Sequence, residues 1–404
     1  MNQLKKLLFG IVIIACSIQV VHSQNSNFIS PLKSNASSLA GYQLVWQDDF
    51  KGTTLDETNN WVIEVNGDGG GNNELQYYRR ENISVGNEPV SGKSCLIITA
   101  KLESFSGKVC TSGRLKTIGK MQFKHGRIDA SIKLPHTANG LWPAFWMMGG
   151  DYPLVGWPKC GEIDILEMGN TNGINAGTQD KYYSSHYHWG ESWNGGSYPN
   201  WGQAATSTYG VQDDFHLYTL IWNDTYLETY LDLDKYPNAT PLAHMLINGT
   251  DVAGNAAHYF HKQFYVIFNL AIGGNFTGIT GNSNIGKITA LASGSANMYV
   301  DYVKVYQQGV TGEEYSGPVL APNGINELSA QNQFKIYPNP TKNLINIEAD
   351  SEISKVTLIS MSGQEVMSVS NTKSISTSGL SSGNYLIKIV DVNGKAETHQ
   401  ITKQ

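Results

Sequence analysis

Three acidic residues stand close together in a short apolar stretch of this sequence. Glu162 and Asp164 alternate with isoleucines, and Glu167 follows directly after Ile165-Leu166. This alternation is the period of a half-buried strand, so Glu162 and Asp164 are predicted to share one face. Strict alternation would turn Glu167 to the opposite face. A β-bulge at about Ile165-Leu166 would return it, and three carboxyl groups would then line one wall.

Such a wall has the groups that glycoside hydrolysis requires. A retaining glycosidase uses an ionised carboxylate as nucleophile and a protonated carboxyl as general acid, about 5–5.5 Å apart. Across a bulge, the backbones of Glu162 and Glu167 are about four strand steps, or roughly 13 Å, apart. Two glutamate side chains leaning together could close most of that gap, and an inverting pair about 6.5–9.5 Å apart is also allowed. Asp164 lies between them, where its charge would keep the proton on Glu167.

Two other interpretations of these acids are open, namely a solvated acidic face on an ordinary strand and a calcium site. Like charges on one strand face destabilise a sheet unless a function holds them there. Trp157-Pro158 and a Trp-rich strand precede the acids, and aromatic faces are surfaces on which sugar rings stack. Both observations favour a site that cleaves sugar polymers.

The stretch 157–167 reads Trp-Pro-Lys-Cys-Gly-Glu-Ile-Asp-Ile-Leu-Glu. It resembles the signature of glycoside hydrolase family 16, in the bulged E-x-D-x-x-E form that laminarinases and their relatives carry. Lichenase-type members have one residue fewer. The resemblance implies that Glu162 is the nucleophile, Asp164 its helper and Glu167 the acid/base.

The resemblance extends over residues 42 to 306. Its further matching stretches are 44–50, 71–78, 112–117, 140–147, 269–274 and 300–306. It implies a β-jelly roll with a long cleft on the concave face. The residue pattern agrees, because strand-like runs separated by turn residues fill this region and no long 3.6-residue period occurs, which favours a two-sheet sandwich or jelly roll. The predicted fold class is all-β.

Length and charge limit the classes of function. A chain of 404 residues has room for two or three domains and a sizeable core. Only 15% of its residues are charged, and the net charge of −6 provides no basic patch for nucleic acid. The acidic balance also disfavours a sulfated, polyanionic substrate.

Several aromatic residues are candidates for sugar binding. Trp142 and Trp146 are four residues apart on a predicted strand and therefore share a face. Both could stack on sugars, or Trp146 could belong to the core. Trp157, in the loop that enters the acidic strand, is the better platform for a sugar next to the cleaved bond.

Polar candidates come mainly from the resemblance. Asn73 and Arg114 match family positions that bind sugar hydroxyls, although Arg114 could instead pair with a structural carboxylate. The family also has a histidine in the cleft, and His188, directly before Trp189, is the better match for it. His186 shares a strand face with His188, so zinc could bind between them, but no third ligand is evident.

Asp301 resembles the residue that ligates a structural calcium on the convex side of many relatives. Oxygen ligands at strand ends suit calcium, and a plain solvated Asp301 is the alternative. No cofactor is expected for catalysis itself.

The first residues have the character of an export signal. Residues 1–23 combine two lysines, an apolar stretch and a small-residue cleavage site, and 24–41 are predicted to be a spacer. Cys16 stands in a weak lipobox and offers a lipid anchor as the alternative. Cys95 and Cys110 flank a predicted hairpin where a disulfide is plausible, whereas Cys160 is predicted to be a buried apolar filler.

The C-terminal part is predicted to be a separate module. Residues 308–333 are predicted to be a linker, because turn residues dominate there and no apolar period survives. Residues 334–404 alternate like a small β-sandwich and resemble the sorting domain of the type IX secretion system of Bacteroidota. A carbohydrate-binding module is the rival interpretation. No aromatic strip supports it.

The resulting expectation is a catalytic domain over 42–307 that cuts β-1,3 or mixed β-1,3/1,4 glucans by a retaining mechanism. Its expected partners are the β-glucan and the outer-membrane type IX machinery, with no nucleic acid, and its expected location is outside the cell or on the cell surface. An agarase or another galactan-cleaving enzyme is one alternative. A non-catalytic sugar-binding jelly roll is another, although such a protein would not need both Glu162 and Glu167.

Overall fold

A computed structural model describes residue 39 and the ranges 41–318, 334–349, 351–360, 365–392 and 396–404. The predicted signal peptide, Cys16 and almost all of the spacer lie outside these residues, as do the later part of the linker and the turns at Ser362-Gly363 and Asn393-Gly394. No helix among the described residues is long and apolar enough to cross a membrane.

Strands dominate the described chain, as predicted. Those of the first unit are β1 (Gln43–Asp48), β2 (Val62–Ile63), β3 (Gln76–Tyr78), β4 (Ile83–Asn87), β5 (Ser94–Lys101), β6 (Cys110–Ser112), β7 (Arg114–Lys116), β8 (Gln122–Lys124), β9 (Gly126–Lys133), β10 (Leu141–Gly149), β11 (Glu162–Met168), β12 (Tyr182–His188), β13 (Asn200–Thr206), β14 (His216–Trp222), β15 (Tyr226–Leu231), β16 (Ala243–Leu246), β17 (Phe264–Ile272), β18 (Ser295–Gln307) and β19 (Glu314–Ser316). Its helices are short: α1 (Tyr152–Val155), α2 (Thr171–Ala176), α3 (Ala256–Tyr259), and 3-10 turns at Arg80–Asn82, Asn194–Gly196, Asn282–Lys287 and Thr289–Leu291.

Two sheets form the first unit. Within the described residues, a ten-stranded sheet runs β16-β15-β14-β9-β18-β5-β6-β3, with β1 beside β18 and β4 beside β5. A nine-stranded sheet, here called the cleft sheet, runs β13-β12-β11-β10-β17-β7-β2, with β8 and β19 at its side. One apolar core cluster draws residues from both sheets, so they pack face to face as a jelly-roll sandwich.

Strand periodicity explains how each sheet covers this core. In β9, Ile128, Ala130 and Ile132 are fully buried in the core, while the residues between them face the other side. In β18 the register shifts between Val300 and Tyr302. This irregularity keeps residues on both sides of it in the core.

The domain boundary after residue 307 requires a correction. Glu314–Ser316 lies in the predicted linker, yet it pairs with β8 as strand β19. Tyr315 packs against the main core, and Gln307 Nε2 donates to the carbonyl of Glu314 over 2.9 Å. The strand is only three residues long, so the sequence pattern around it is dominated by turn residues.

The disulfide considered plausible between Cys95 and Cys110 does not form. Both thiols are free and buried. Strands β5 and β6 meet at Lys101 and Thr111, which places Cys95 at the far end of β5 from Cys110. Cys160 is fully buried among apolar side chains, as predicted.

The C-terminal residues form sheets around a core of their own. Their strands are β20 (Phe334–Tyr337), β21 (Leu344–Ala349), β22 (Ile353–Ser360), β23 (Glu365–Ser370), β24 (Ser374–Ser376), β25 (Gly383–Asp391) and β26 (Ala396–Lys403). They build a three-stranded sheet, β20-β21-β24, and a four-stranded sheet, β23-β22-β25-β26. Isoleucine, leucine and valine side chains from both sheets form a separate core.

Candidate active site

The acidic strand β11 carries the predicted bulge. On β10, Phe145 pairs with Leu166 and the next residue, Trp146, pairs with Asp164, so Ile165 is the extra residue. Ile165 and Leu166 both reach the core. Glu167 is thereby returned toward Asp164, since the two residues interact electrostatically.

Burial governs the proton affinity of the three carboxyls. The side chain of Glu162 is 15% exposed, and Asp164 and Glu167 are buried. Burial and the charge of Asp164 raise the pKa of both glutamates, and burial raises the pKa of Asp164 well above its ordinary value. Like charges this close disfavour full ionisation, so the wall retains a proton near neutral pH.

Different neighbours act on the two glutamates. His188 favours the ionised form of both, Arg114 favours the ionised form of Glu162, and the hydrogen bond from Trp142 favours that of Glu167. The pKa of each is nevertheless raised to about 8, so either glutamate can hold the proton that the wall retains near neutral pH.

His188 enters the wall from β12, where it pairs with Glu162 across the strands. Its Nε2 lies 3.3 Å from Asp164 Oδ2 and 3.8 Å from Glu162 Oε1. The structure therefore brings His188 to the predicted catalytic residues. Its Nδ1 faces away from them and lies 3.0 Å from the hydroxyl of Tyr198.

Trp142 contacts the third acid. Its indole N–H donates to Glu167 Oε1 over 3.0 Å. The ring stacks on Phe276, with centroids 4.6 Å apart and planes 10° apart. One face of Trp142 is thus already covered, which leaves one face for a sugar.

Trp146 is buried and does not offer a stacking face, so the core alternative is confirmed. Its side chain belongs to a small apolar cluster with Met148 and Tyr265. The guanidinium of Arg114 lies 4.8 Å above the ring, and the indole N–H donates to Asn269 Oδ1 over 2.7 Å.

Arg114 has the structural carboxylate partner that was the alternative to sugar binding, and it also lies near the acids. Its Nε lies 3.7 Å from Glu64 Oε2, so a structural ion pair exists. The same carboxylate accepts from Lys116 Nζ over 2.7 Å. Because Arg114 also acts electrostatically on Glu162, it borders the acidic wall as well.

Asn73 lies in a loop at one side of this site. Its side chain donates to Asn275 Oδ1 over 3.0 Å and is exposed. Asn275 in turn bonds the carbonyl of Asn72 through its backbone. These contacts join the loop before β3 to the loop after β17, and no contact of Asn73 with the three acids is present among the described residues.

Trp157 borders the wall next to His188. The rings of Trp157 and Tyr198 pack edge to face with their centroids 4.8 Å apart, and the centroid of the His188 ring lies 6.1 Å from that of Trp157. Its indole N–H is buried and has no hydrogen-bond partner within the described residues.

The two histidines of β12 do not form the zinc pair considered above. Their rings stack at 4.7 Å, and His186 Nε2 is directed to Asn200 Oδ1 at 3.1 Å. Among the described residues, the ligand atoms close enough to share an ion belong to Glu162, Asp164 and His188. The two carboxyl groups of this set are ones that a glycosidase uses, so the site is interpreted as catalytic and not as a metal site.

The surroundings of Asp301 do not fit the predicted calcium. The ammonium of Lys93 lies 2.6 Å from Asp301 Oδ2 and supplies a positive charge where calcium would bind. The ammonium also lies 4.7 Å from the centre of the Phe215 ring.

The comparisons with known proteins agree with this geometry. Residues 76–244 match the model described as glycosyl hydrolases family 16. The beta-glucanase of Rhodothermus marinus is 33% identical over 287 residues, which are 69% of this chain and 90% of that protein. The chain belongs to glycoside hydrolase family 16. The clotting factor G alpha subunit of Tachypleus tridentatus is 36% identical over 272 residues, 67% of this chain, and the chain spans about a third (35%) of that relative's length.

A solved family 16 structure and a second family model extend the comparison. The Bacteroides ovatus mixed linkage glucan PUL GH16, in complex with a G4G4G3G product, is 38% identical and covers 64% of this chain and 99% of that one, with a TM-score of 0.55. Residues 335–404 match the model of the secretion system C-terminal sorting domain. The catalytic family and the sorting module therefore occupy separate parts of the chain.

Three residues of this family 16 site were missed in the sequence. Tyr198 reaches His188 from ten positions away, Asn269 holds Trp146, and Phe276 supports Trp142. Asn269 lies in a stretch that matched the family, which was a usable signal. Tyr198 and Phe276 lie in irregular loops whose approach to the site no local pattern indicates.

Proposed function

We propose that this family 16 chain is an exported endo-β-glucanase that cuts β-1,3 or mixed β-1,3/1,4 glucans with retention of configuration. The observation that carries the proposal is the bulged strand β11, which sets Glu162, Asp164 and Glu167 beside His188. The related beta-glucanase and the mixed linkage glucan enzyme support β-glucan as the substrate class.

The first chemical step assigns different roles to the two glutamates. The carboxylate of Glu162 attacks the anomeric carbon and forms a glycosyl ester, while Glu167 gives its proton to the departing glycosidic oxygen. The C–O bond to the leaving chain breaks as the ester bond forms. Arg114 favours the ionised form of Glu162.

The second step reverses the role of Glu167. Now ionised, it takes a proton from a water molecule whose oxygen attacks the anomeric carbon. The bond to Glu162 breaks, the carboxylate is restored, and the sugar leaves with its original configuration. The bond from Trp142 stabilises Glu167 while it is ionised.

The residues around the acids are proposed to bind the glucan. Trp157, whose ring lies beside His188 and Tyr198, would stack on a sugar near the cleaved bond. Trp142 would use its uncovered face, and Asn73 and Arg114 would contact the chain further along the cleft.

The tail is proposed to send the enzyme out through the type IX machinery of the outer membrane, to the medium or the cell surface. Its match to a secretion sorting domain supports this role. The signal peptide at 1–23 and the division of the chain into domains remain predictions.

Product analysis tests the proposed activity. Purified enzyme would be incubated with laminarin, barley β-glucan, agarose and carrageenan, and oligosaccharides would be separated by size. Short oligosaccharides from laminarin or barley β-glucan are expected, together with a rapid fall in polymer length. Products from agarose alone would replace the glucanase assignment with the galactanase alternative.

A further inference from the structure

Tyr198 lies behind His188 as seen from the acidic wall. The imidazole bridges the two sides: Nδ1 is 3.0 Å from the Tyr198 hydroxyl, and Nε2 is 3.3 Å from Asp164 Oδ2. A neutral imidazole carries one N–H, on either nitrogen. The partner of Nδ1 therefore decides what Nε2 presents to the carboxyls.

The phenol is suited to act as the donor in this pair. Burial and the charges of Glu162 and Asp164 raise the pKa of Tyr198 to about 12, so it keeps its proton. A phenol O–H can donate to an unprotonated Nδ1. The imidazole proton then lies on Nε2, between Asp164 and Glu162.

Several contacts hold Tyr198 in place. Its edge packs on Trp157 at 4.8 Å, and the next residues return into β13, where Asn200 pairs with His188. At the base of the loop, Trp189 N donates to the Pro199 carbonyl over 3.1 Å. The hydroxyl is thus fixed by ring packing and by strand pairing.

Two hydrogen bonds to Glu191 hold the same loop without contacting His188. Glu191 accepts a hydrogen bond from the Tyr259 hydroxyl and one from Lys159 Nζ, each over 2.7 Å. Tyr259 therefore offers a matched control, because loss of its hydroxyl loosens the loop base and leaves the Tyr198 bond intact.

We propose that Tyr198 is a positioning residue that fixes His188 as the Nε2–H tautomer, so that the imidazole donates toward Asp164 and Glu162. This donation helps to keep Glu162 ionised within a wall of three acids. In the other tautomer, Nε2 would present a lone pair to the ionised carboxylate of Glu162, and the two would repel. The catalytic consequence rests on the proposed glycosidase mechanism, whereas the tautomer itself does not.

The test compares the wild type, Tyr198→Phe and Tyr259→Phe by NMR of protein labelled with ¹⁵N-histidine. Two-bond ¹H–¹⁵N correlations distinguish the tautomers, and His188→Gln assigns the signal. At about pH 8, wild-type and Tyr259→Phe proteins are expected to show His188 protonated on Nε2 alone, whereas Tyr198→Phe should show a mixture. A wild-type His188 protonated on Nδ1, alone or with Nε2, would overturn the proposal, as would an unchanged signal in Tyr198→Phe.

Kinetics provide the second readout. Tyr198→Phe is expected to lower kcat on the cleaved glucan by about tenfold with little change in KM, the size of effect that one hydrogen bond can have. Tyr259→Phe should retain nearly all of kcat. Equal losses of kcat in both variants would mean that Tyr198 only holds the loop in place, which would overturn the proposal. If no glucan is cleaved even by the wild type, the proposed function fails while the NMR result still decides the tautomer.

Discussion

The indole N–H of Trp142 donates to Glu167 Oε1 over 3.0 Å while Phe276 covers one face of the indole ring. An indole can only donate, so Oε1 is held as an acceptor. In the proposed mechanism, the proton that reaches the leaving group is therefore carried by Oε2. Trp142, predicted only as a sugar-binding residue, would then also orient the acid.

Replacing Trp142 by Phe tests this orientation. The variant keeps a ring on Phe276 but loses the N–H, so kcat/KM on glucan should fall by about tenfold. In a dinitrophenyl glycoside the dinitrophenolate leaves without acid assistance. The kcat/KM of the variant on this substrate should therefore fall much less. Phe276→Leu, which retains the N–H, is the control and should have a smaller effect. Equal losses on both substrates would mean that Trp142 acts only as a binding platform.

Removing one carboxyl from the wall is expected to change the pH dependence of stability. Burial and Asp164 raise the pKa of Glu162 to about 8 in the folded chain, from an ordinary value of 4.5. A group with a raised folded pKa contributes stability that is complete below the unfolded value and is lost as the pH rises through the folded value. Glu162→Gln has no such proton to lose.

The Tm of Glu162→Gln relative to wild type should therefore increase by about 2–4 °C between about pH 5 and about pH 9. Thermal unfolding followed by circular dichroism measures it. Glu81→Gln, at a carboxyl that is 63% exposed, is the control and should show no such trend. A Tm difference between Glu162→Gln and wild type that does not change with pH would contradict the raised pKa of Glu162.

Much of the site could be predicted because, in β11, the alternation of residues and the chemistry of the three acids indicate the same arrangement. Three acids are useful together only on one face, and the alternation around Ile163 and Ile165 leaves a bulge as the means to achieve it. The two-sheet fold could also be predicted, because strand-like runs such as those of β9, β14 and β17 fill this part of the chain. Patterns of this kind involve only residues that are close together in the sequence, so the sequence alone can predict them.

What could not be predicted depends on register and on distant loops. The Cys95–Cys110 pairing fails because β5 and β6 meet only at Lys101 and Thr111. Neighbouring cysteine positions in a predicted hairpin do not determine that register. The approach of Tyr198 to His188 depends on the path of a whole loop, which no spacing encodes.

The position of β19 changes where the chain can be shortened. A chain ending after residue 318 retains β19 and should keep the Tm and kcat/KM of the full-length enzyme on soluble glucan. A chain ending after residue 308 loses the pairing with β8 and the packing of Tyr315, so its Tm should be lower by about 3–8 °C. Both should lose export in the native host.

Calorimetry of the two shortened chains gives the comparison, with secretion followed by immunoblotting of the medium. Equal Tm values for the chains ending at 308 and 318 would show that β19 adds nothing to the catalytic unit. Loss of binding to insoluble β-glucan on removal of the tail would instead favour the carbohydrate-binding interpretation of residues 334–404.

The ion pair between Lys93 and Asp301 leads to a prediction about metal ions. A chelator should leave the wild-type Tm unchanged, because the Lys93 ammonium already neutralises the carboxylate at 2.6 Å. Lys93→Met removes that charge, and added calcium should then raise the Tm of this variant only. Lys51→Met, at an exposed pair with Asp49, is the control. A wild-type Tm that falls with chelator and recovers with calcium would restore the predicted calcium site.

The retaining mechanism, with Glu162 as nucleophile and Glu167 as acid/base, is tested most directly by azide rescue. Glu167→Ala should still form the ester at Glu162 with an activated β-glucoside, and azide, which needs no general base, should then attack it. The anomeric configuration of the product, read from its proton coupling by NMR, is the decisive measurement. A β-glycosyl azide is predicted, and an α-glycosyl azide would contradict the assignment.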